Sequence, residues 1–91
     1  SPTEPKNVLI GGIVAPNTIL KWDKSNDDNI IGYKIYWRLT TSPTWEHSRF
    51  VGDVNTFELK GIVIDNYYFG VASVSKNGHE SVVVFPKDII R

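Results

Sequence analysis

Two histidines, His47 and His79, and the alternating oxygen donors Asp23, Ser25, Asp27 and Asn29 are the residues of this 91-residue chain whose types could do chemistry. Zinc-dependent hydrolysis needs several His and carboxylate ligands converging on the metal. The two histidines stand far apart and show no His-Glu-x-x-His spacing. Cysteine is absent, no Gly-x-Ser-x-Gly elbow is present, and no glycine-rich phosphate loop occurs. The Asp23–Asn29 run resembles the start of a calcium loop. Its sixth position would be Gly and is Asp28, and its twelfth would be Glu and is Lys34. A helix-flanked calcium loop is therefore excluded. A looser cation site between strands and a solvated turn remain, and Asp and Asn favour the turn through bonds to their own backbone. No catalytic, metal or cofactor-binding residue is assigned, and no cofactor is expected.

The elements that would position these residues are strands. Val8–Ile10 follows the breakers Pro2 and Pro5, and Gly11-Gly12 and Pro16-Asn17 punctuate the next connection. Thr18–Trp22 alternates, with Leu20 and Trp22 on one face. Ile31–Thr40 puts Tyr33, Ile35 and Trp37 on one face and Lys34, Tyr36 and Arg38 on the other. Trp45–Val51, Thr56–Leu59, Tyr67–Ser75 and Ser81–Phe85 complete the set, the last two joined by a turn at Asn77-Gly78. Seven short strands without a helical period predict an all-β, antiparallel, immunoglobulin-like sandwich. Trp22, Tyr33, Trp37, Phe57 and Phe69 are its candidate core.

Composition bounds the function. Ten basic and ten acidic residues cancel, so no clustered basic surface for nucleic acid or anionic membrane is expected. No apolar run approaches the roughly 20 residues of a membrane helix, so no membrane insertion is expected. The absence of cysteine excludes disulfides and leaves the compartment open. The opening Ser-Pro-Thr-Glu-Pro-Lys reads as a linker at the edge of a longer protein. Residues 1–6 are thus expected as linker and residues 7–91 as one domain.

Specific residues carry a resemblance to the fibronectin type III family. Trp22 matches that family's core tryptophan on the second strand. Gly32-Tyr33-Lys34-Ile35-Tyr36-Trp37-Arg38 is similar to its third-strand pattern. Tyr67, Phe69, Val71 and Gly78 fit its sixth strand, which opens on a corner tyrosine. The spacing from Ile62 to Tyr67 is one residue shorter than the family's. Tyr68 would restore it but invert the faces of the strand. Tyr67 is preferred because Val71, Val74 and Gly78 then fall in register. The resemblance implies a buried Tyr67 ring with its hydroxyl bonded to nearby backbone.

A narrower resemblance lies in "WRLTTSPTWEHSRFVGDV" and "LKGIVIDNYYFGVASVSKNGHESVVVFP". Both are similar to the C-terminal module of secreted bacterial zinc aminopeptidases, the group of aminopeptidase Y and bacterial leucyl aminopeptidase. What this implies is a non-catalytic accessory module in an extracellular or periplasmic protein. Its partner would be the parent peptidase domain or another protein. The alternative is a carbohydrate-binding or adhesion module of another secreted enzyme.

The candidate interface follows from the outward rows of two neighbouring strands. Tyr36 and Tyr68 are the outward tyrosines, and Gly70 and Ala72 beside Tyr68 leave a flat surface. Lys34 and Arg38 flank Tyr36 as a polar rim. An apolar centre with a charged edge is a common interface plan.

Overall fold

Alternation with a period of two, which sends successive side chains to opposite faces, generates every long element of the chain. The computed structural model describes residues 2–11, 17–62 and 66–90. Among the described residues seven strands are formed: β1 (Lys6–Gly11), β2 (Thr18–Asp23), β3 (Ile30–Leu39), β4 (His47–Gly52), β5 (Thr56–Leu59), β6 (Tyr67–Ser75) and β7 (Asp88–Ile89). They make two sheets, ordered β5-β2-β1-β7 and β4-β3-β6. The longest ladder joins β3 and β6, from Ile30 opposite Ser75 to Leu39 opposite Tyr67. It brings the expected inward rows together: Ile35 faces Val71 and Trp37 faces Phe69.

Between the sheets lie Val8, Leu20, Trp22, Tyr33, Ile35, Leu59, Phe69 and Val71, all buried. Burying one such side chain contributes about 1.5–3 kcal/mol. Trp37 and Phe57, expected in the same core, are half-buried and pack against it. The Trp22 and Tyr33 rings lie 5.6 Å apart, tilted by 51°. The Tyr33 hydroxyl oxygen accepts the Ser25 N–H at 2.6 Å and ties the Asp23–Asn29 loop to the core. Burial pushes the Tyr33 phenol above its ordinary range, against the opposing effect of that hydrogen bond. Tyr67 is half-buried against the core with its ring 6.3 Å from Phe69. The faces of β6 therefore follow the register built on Tyr67. Among the described residues its hydroxyl has no acceptor, and residues 63–65, which lead into it, lie outside the described residues.

Three elements differ from expectation. The segment expected as Ser81–Phe85 forms no regular ladder with β6. It meets β6 at an isolated Val71–Val84 bridge and through the Ser81 N–H, which donates to the Ser73 carbonyl at 3.0 Å, with a second bridge at Val74–Glu80 just ahead of it. The Ser81 hydroxyl takes the Ser73 N–H at 2.9 Å, where a regular ladder would use a carbonyl. The seventh regular strand is instead β7, which runs parallel to β1. Trp45, expected to open the fourth strand, lies before it. A Glu46 carboxylate oxygen accepts the Leu39 N–H at 3.1 Å, and the ladder ends two pairs short of Trp45, at Trp37 opposite His47. Finally, Lys6 belongs to β1, and Pro5 is fully buried beside it.

Candidate interaction surface

β3 and β6 carry the predicted interface residues to one face, the outer side of the β4-β3-β6 sheet. Their ladder sets Lys34 opposite Ala72, Tyr36 opposite Gly70, and Arg38 opposite Tyr68. The Tyr36 hydroxyl donates to a Glu80 carboxylate oxygen. The other oxygen of Glu80 meets the Lys34 ammonium at 3.3 Å, and that ammonium stands 5.5 Å from the centre of the Tyr36 ring. Burial first, and the Glu80 contact second, push the Tyr36 phenol up to about 12.

Arg38 sits between two rings. Its guanidinium carbon is 5.3 Å from the centre of Trp45 and 4.9 Å from that of Tyr68, and it donates to the Ser42 carbonyl. Each cation–ring contact at a partly exposed site is worth about 0.5–1 kcal/mol. Trp45 comes from the β3–β4 connection, folds back over the sheet, and meets Tyr36 at 6.1 Å and Phe85 at 5.6 Å.

The expected flat patch at Gly70 and Ala72 is corrected: both residues are buried. The Val83 side chain lies where a Cβ on Gly70 would stand, and the Trp45 ring comes within 3.5 Å of that position. What remains open on this face is aromatic, with Tyr68 47% and Phe85 55% exposed. Trp45, Glu80, Val83 and Phe85 were not among the expected site residues. Gly70 carried the signal, because a glycine inside a strand marks close approach of another group.

The groups first considered for chemistry do not converge. His47 stacks on Trp37 at 5.4 Å, and His79 is exposed beside the Ser75–Gly78 turn. The loop oxygens close their own turn: Asp27 accepts the Asn29 N–H at 2.9 Å, and Ser25 accepts the Asp27 N–H at 3.2 Å. Among the described residues no group of three His, Cys, Asp or Glu could hold a metal ion.

Comparison with known proteins places the fold. No family model matches the chain. It superposes on the FN1–FN3 domains of chicken CNTN1 with a TM-score of 0.74 at 17% identity, covering 91% of this chain and 31% of that one. A Fn3-like protein from Clostridium thermocellum gives 0.67 at 16% identity, with coverage of 91% and 85%. The chain is a fibronectin type III-like β-sandwich.

Its similarity in sequence is to proteases. A probable zinc metalloprotease of Pyrenophora tritici-repentis is 36% identical over 87 residues, covering 94% of this chain and 18% of that protein. Those of Phaeosphaeria nodorum and Leptosphaeria maculans are each 39% identical, with the same coverage of this chain and 18% and 20% of theirs. The chain thus spans about a fifth of the length of the curated relatives it matches. These relatives are fungal, whereas the resemblance in the sequence points to bacterial peptidases.

Proposed function

We propose that this chain is a non-catalytic accessory module of a zinc metalloprotease, docked on the catalytic domain through the outer face of the β4-β3-β6 sheet. The similarity carrying this reading spans nearly the whole chain yet only a fifth of each protease. A separate part of such a protein would then hold the zinc ligands.

The outer face supports docking. Trp45 and Phe85 form an aromatic centre, the Arg38 guanidinium bridges Trp45 to Tyr68, and Lys34 and Glu80 edge the group, a mix of aromatic, Arg and rim charges that interfaces favour. Arg38 and Glu80 are already engaged within the module, so the face is pre-shaped and loses little freedom on contact. A sugar platform would present rings in one plane. Here Trp45 is tilted by 52° to Tyr36 and by 32° to Phe85. The setting we propose is a secreted protein, testable by fractionating cells that express the full-length chain.

Hydrolysis of an aminoacyl or peptide substrate by the full-length protein and by this chain alone tests the assignment. The full-length protein is expected to be active with zinc, and this chain inactive with or without it. Activity in the isolated chain would overturn the reading. So would a full-length protein whose catalytic part melts identically after deletion of the module.

A further inference from the structure

The N-terminal residues, expected as a linker, are built into the fold. Pro5 is fully buried. The buried Ser73 hydroxyl donates to the Thr3 carbonyl at 2.7 Å, and the Thr3 N–H reaches Asp27 Oδ2 at 3.5 Å. This strap crosses one pole of the sandwich, where the Asp23–Asn29 loop meets the turn after β6. Lys76 N–H donates to the Asn29 carbonyl there at 2.8 Å. Two polar clefts open at the same pole. One, of about 290 Å³, is lined by Pro2, Asp27, Asn29, Lys76, Asn77 and His79. The other, of about 580 Å³, is lined by Thr3, Glu4, Lys6, Asp23 and Lys24 among others. β1 runs away from this pole, and Ile90 closes on Ile10 near its far end.

We propose that this pole is the surface on which the polypeptide preceding residue 2 rests in the full-length protease. The inference depends on the reading of the chain as one module of that longer protein. Thr3 and Pro5 are fixed to the pole and Pro2 lines its smaller cleft, so a stretch ahead of them starts from this surface. About four-fifths of the length of the protease relatives lies outside the matched region. The surface offers both signs of charge, Lys76 and Asp27 in one cleft, with the side chains of Asn29, Asn77 and His79 as further hydrogen-bonding groups. That chemistry suits a charged, hydrogen-bonding polypeptide surface. The contact would hold the module at a set angle to its neighbour, where a free tether would leave it to swing.

Amide hydrogen exchange on the full-length protein and on this chain alone reads the contact directly. Amides of Asn26–Asn29 and Lys76–His79 are expected to exchange roughly tenfold more slowly in the full-length protein. A Lys76→Glu, His79→Glu variant should lose most of that difference while the β3 amides keep their protection, which shows that the module is still folded. Equal rates at the pole in the two proteins would overturn the proposal. Added protection found only around Trp45, Tyr68 and Phe85 would also overturn it. Zinc-dependent hydrolysis by the full-length protein reads the protease assignment separately. Its absence would sink that assignment and leave the exchange comparison interpretable.

Discussion

The Val83 side chain occupies the space that a Cβ on Gly70 would need. Gly70 lies in the middle of β6, a position where glycine costs strand stability. Its use there is packing: Val83 and the Trp45 ring close onto bare backbone. We predict that Gly70→Ala destabilises the domain by about 1–3 kcal/mol through overpacking. Chemical denaturation of the isolated chain measures this. An unchanged midpoint would mean that Val83 and Trp45 move aside freely.

Trp22 should be the most costly core position. It is 1% exposed and packs on the Tyr33 ring. Trp22→Ala is expected to cost about 3–5 kcal/mol, from lost burial plus the cavity left behind. Its indole N–H has no acceptor among the described residues, so Trp22→Phe removes no hydrogen bond and should cost much less. Thermal melts of the two variants decide. Equal losses would show that a phenyl ring fills this site no better than a methyl group, and the expectation would fail.

The inward rows were legible because a period of two is a local property. Leu20 and Trp22, then Tyr33 and Ile35, announce their face within a few residues. Sheet pairing then aligns those rows without further information. The outer face was only partly legible, since its partners are distant in sequence. Tyr36 meets Glu80 across 44 residues, and no spacing rule links them. Trp45 read as a strand residue because its neighbours alternate. It leaves the ladder because Glu46 takes the Leu39 N–H. Gly70 and Ala72 were assigned the right face but the wrong exposure, because the residues covering Gly70 come from two separate connections.

Tyr36 makes the alkaline limit of stability testable. Its folded phenol titrates near 12, above the ordinary value of 10.0. A raised value means that the folded state keeps its proton where the unfolded state loses it. The stabilisation is therefore complete below pH 10 and is lost as pH rises toward 12. Tyr33 is shifted in the same direction and adds to the loss. We predict that Tyr36→Phe flattens the decline in stability across this window. Denaturation midpoints at several pH values, with an ultraviolet titration of phenolate, check it. A slope identical to that of the unsubstituted chain would show that Tyr36 ionises as freely folded as unfolded.

The proposed docking face can be tested while keeping the module folded if the right rings are chosen. Tyr36 is a poor choice, since its hydroxyl ties β3 to Glu80 and the loss would weaken the module itself. Tyr68 and Phe85 project further into solvent, at 47% and 55% exposure. A Tyr68→Ser, Phe85→Ser double change should cost the isolated chain about 1–2 kcal/mol, from the lost Arg38–Tyr68 and Trp45–Phe85 ring contacts, and leave it folded. In the longer protein proposed above, the same change should lower the melting temperature of the remainder and raise proteolytic cleavage between it and this module. Cleavage is expected ahead of Thr3, because Thr3 is bonded to Ser73 and Pro5 is buried. A full-length melt and a cleavage rate that both stay unchanged would remove this face as the docking surface.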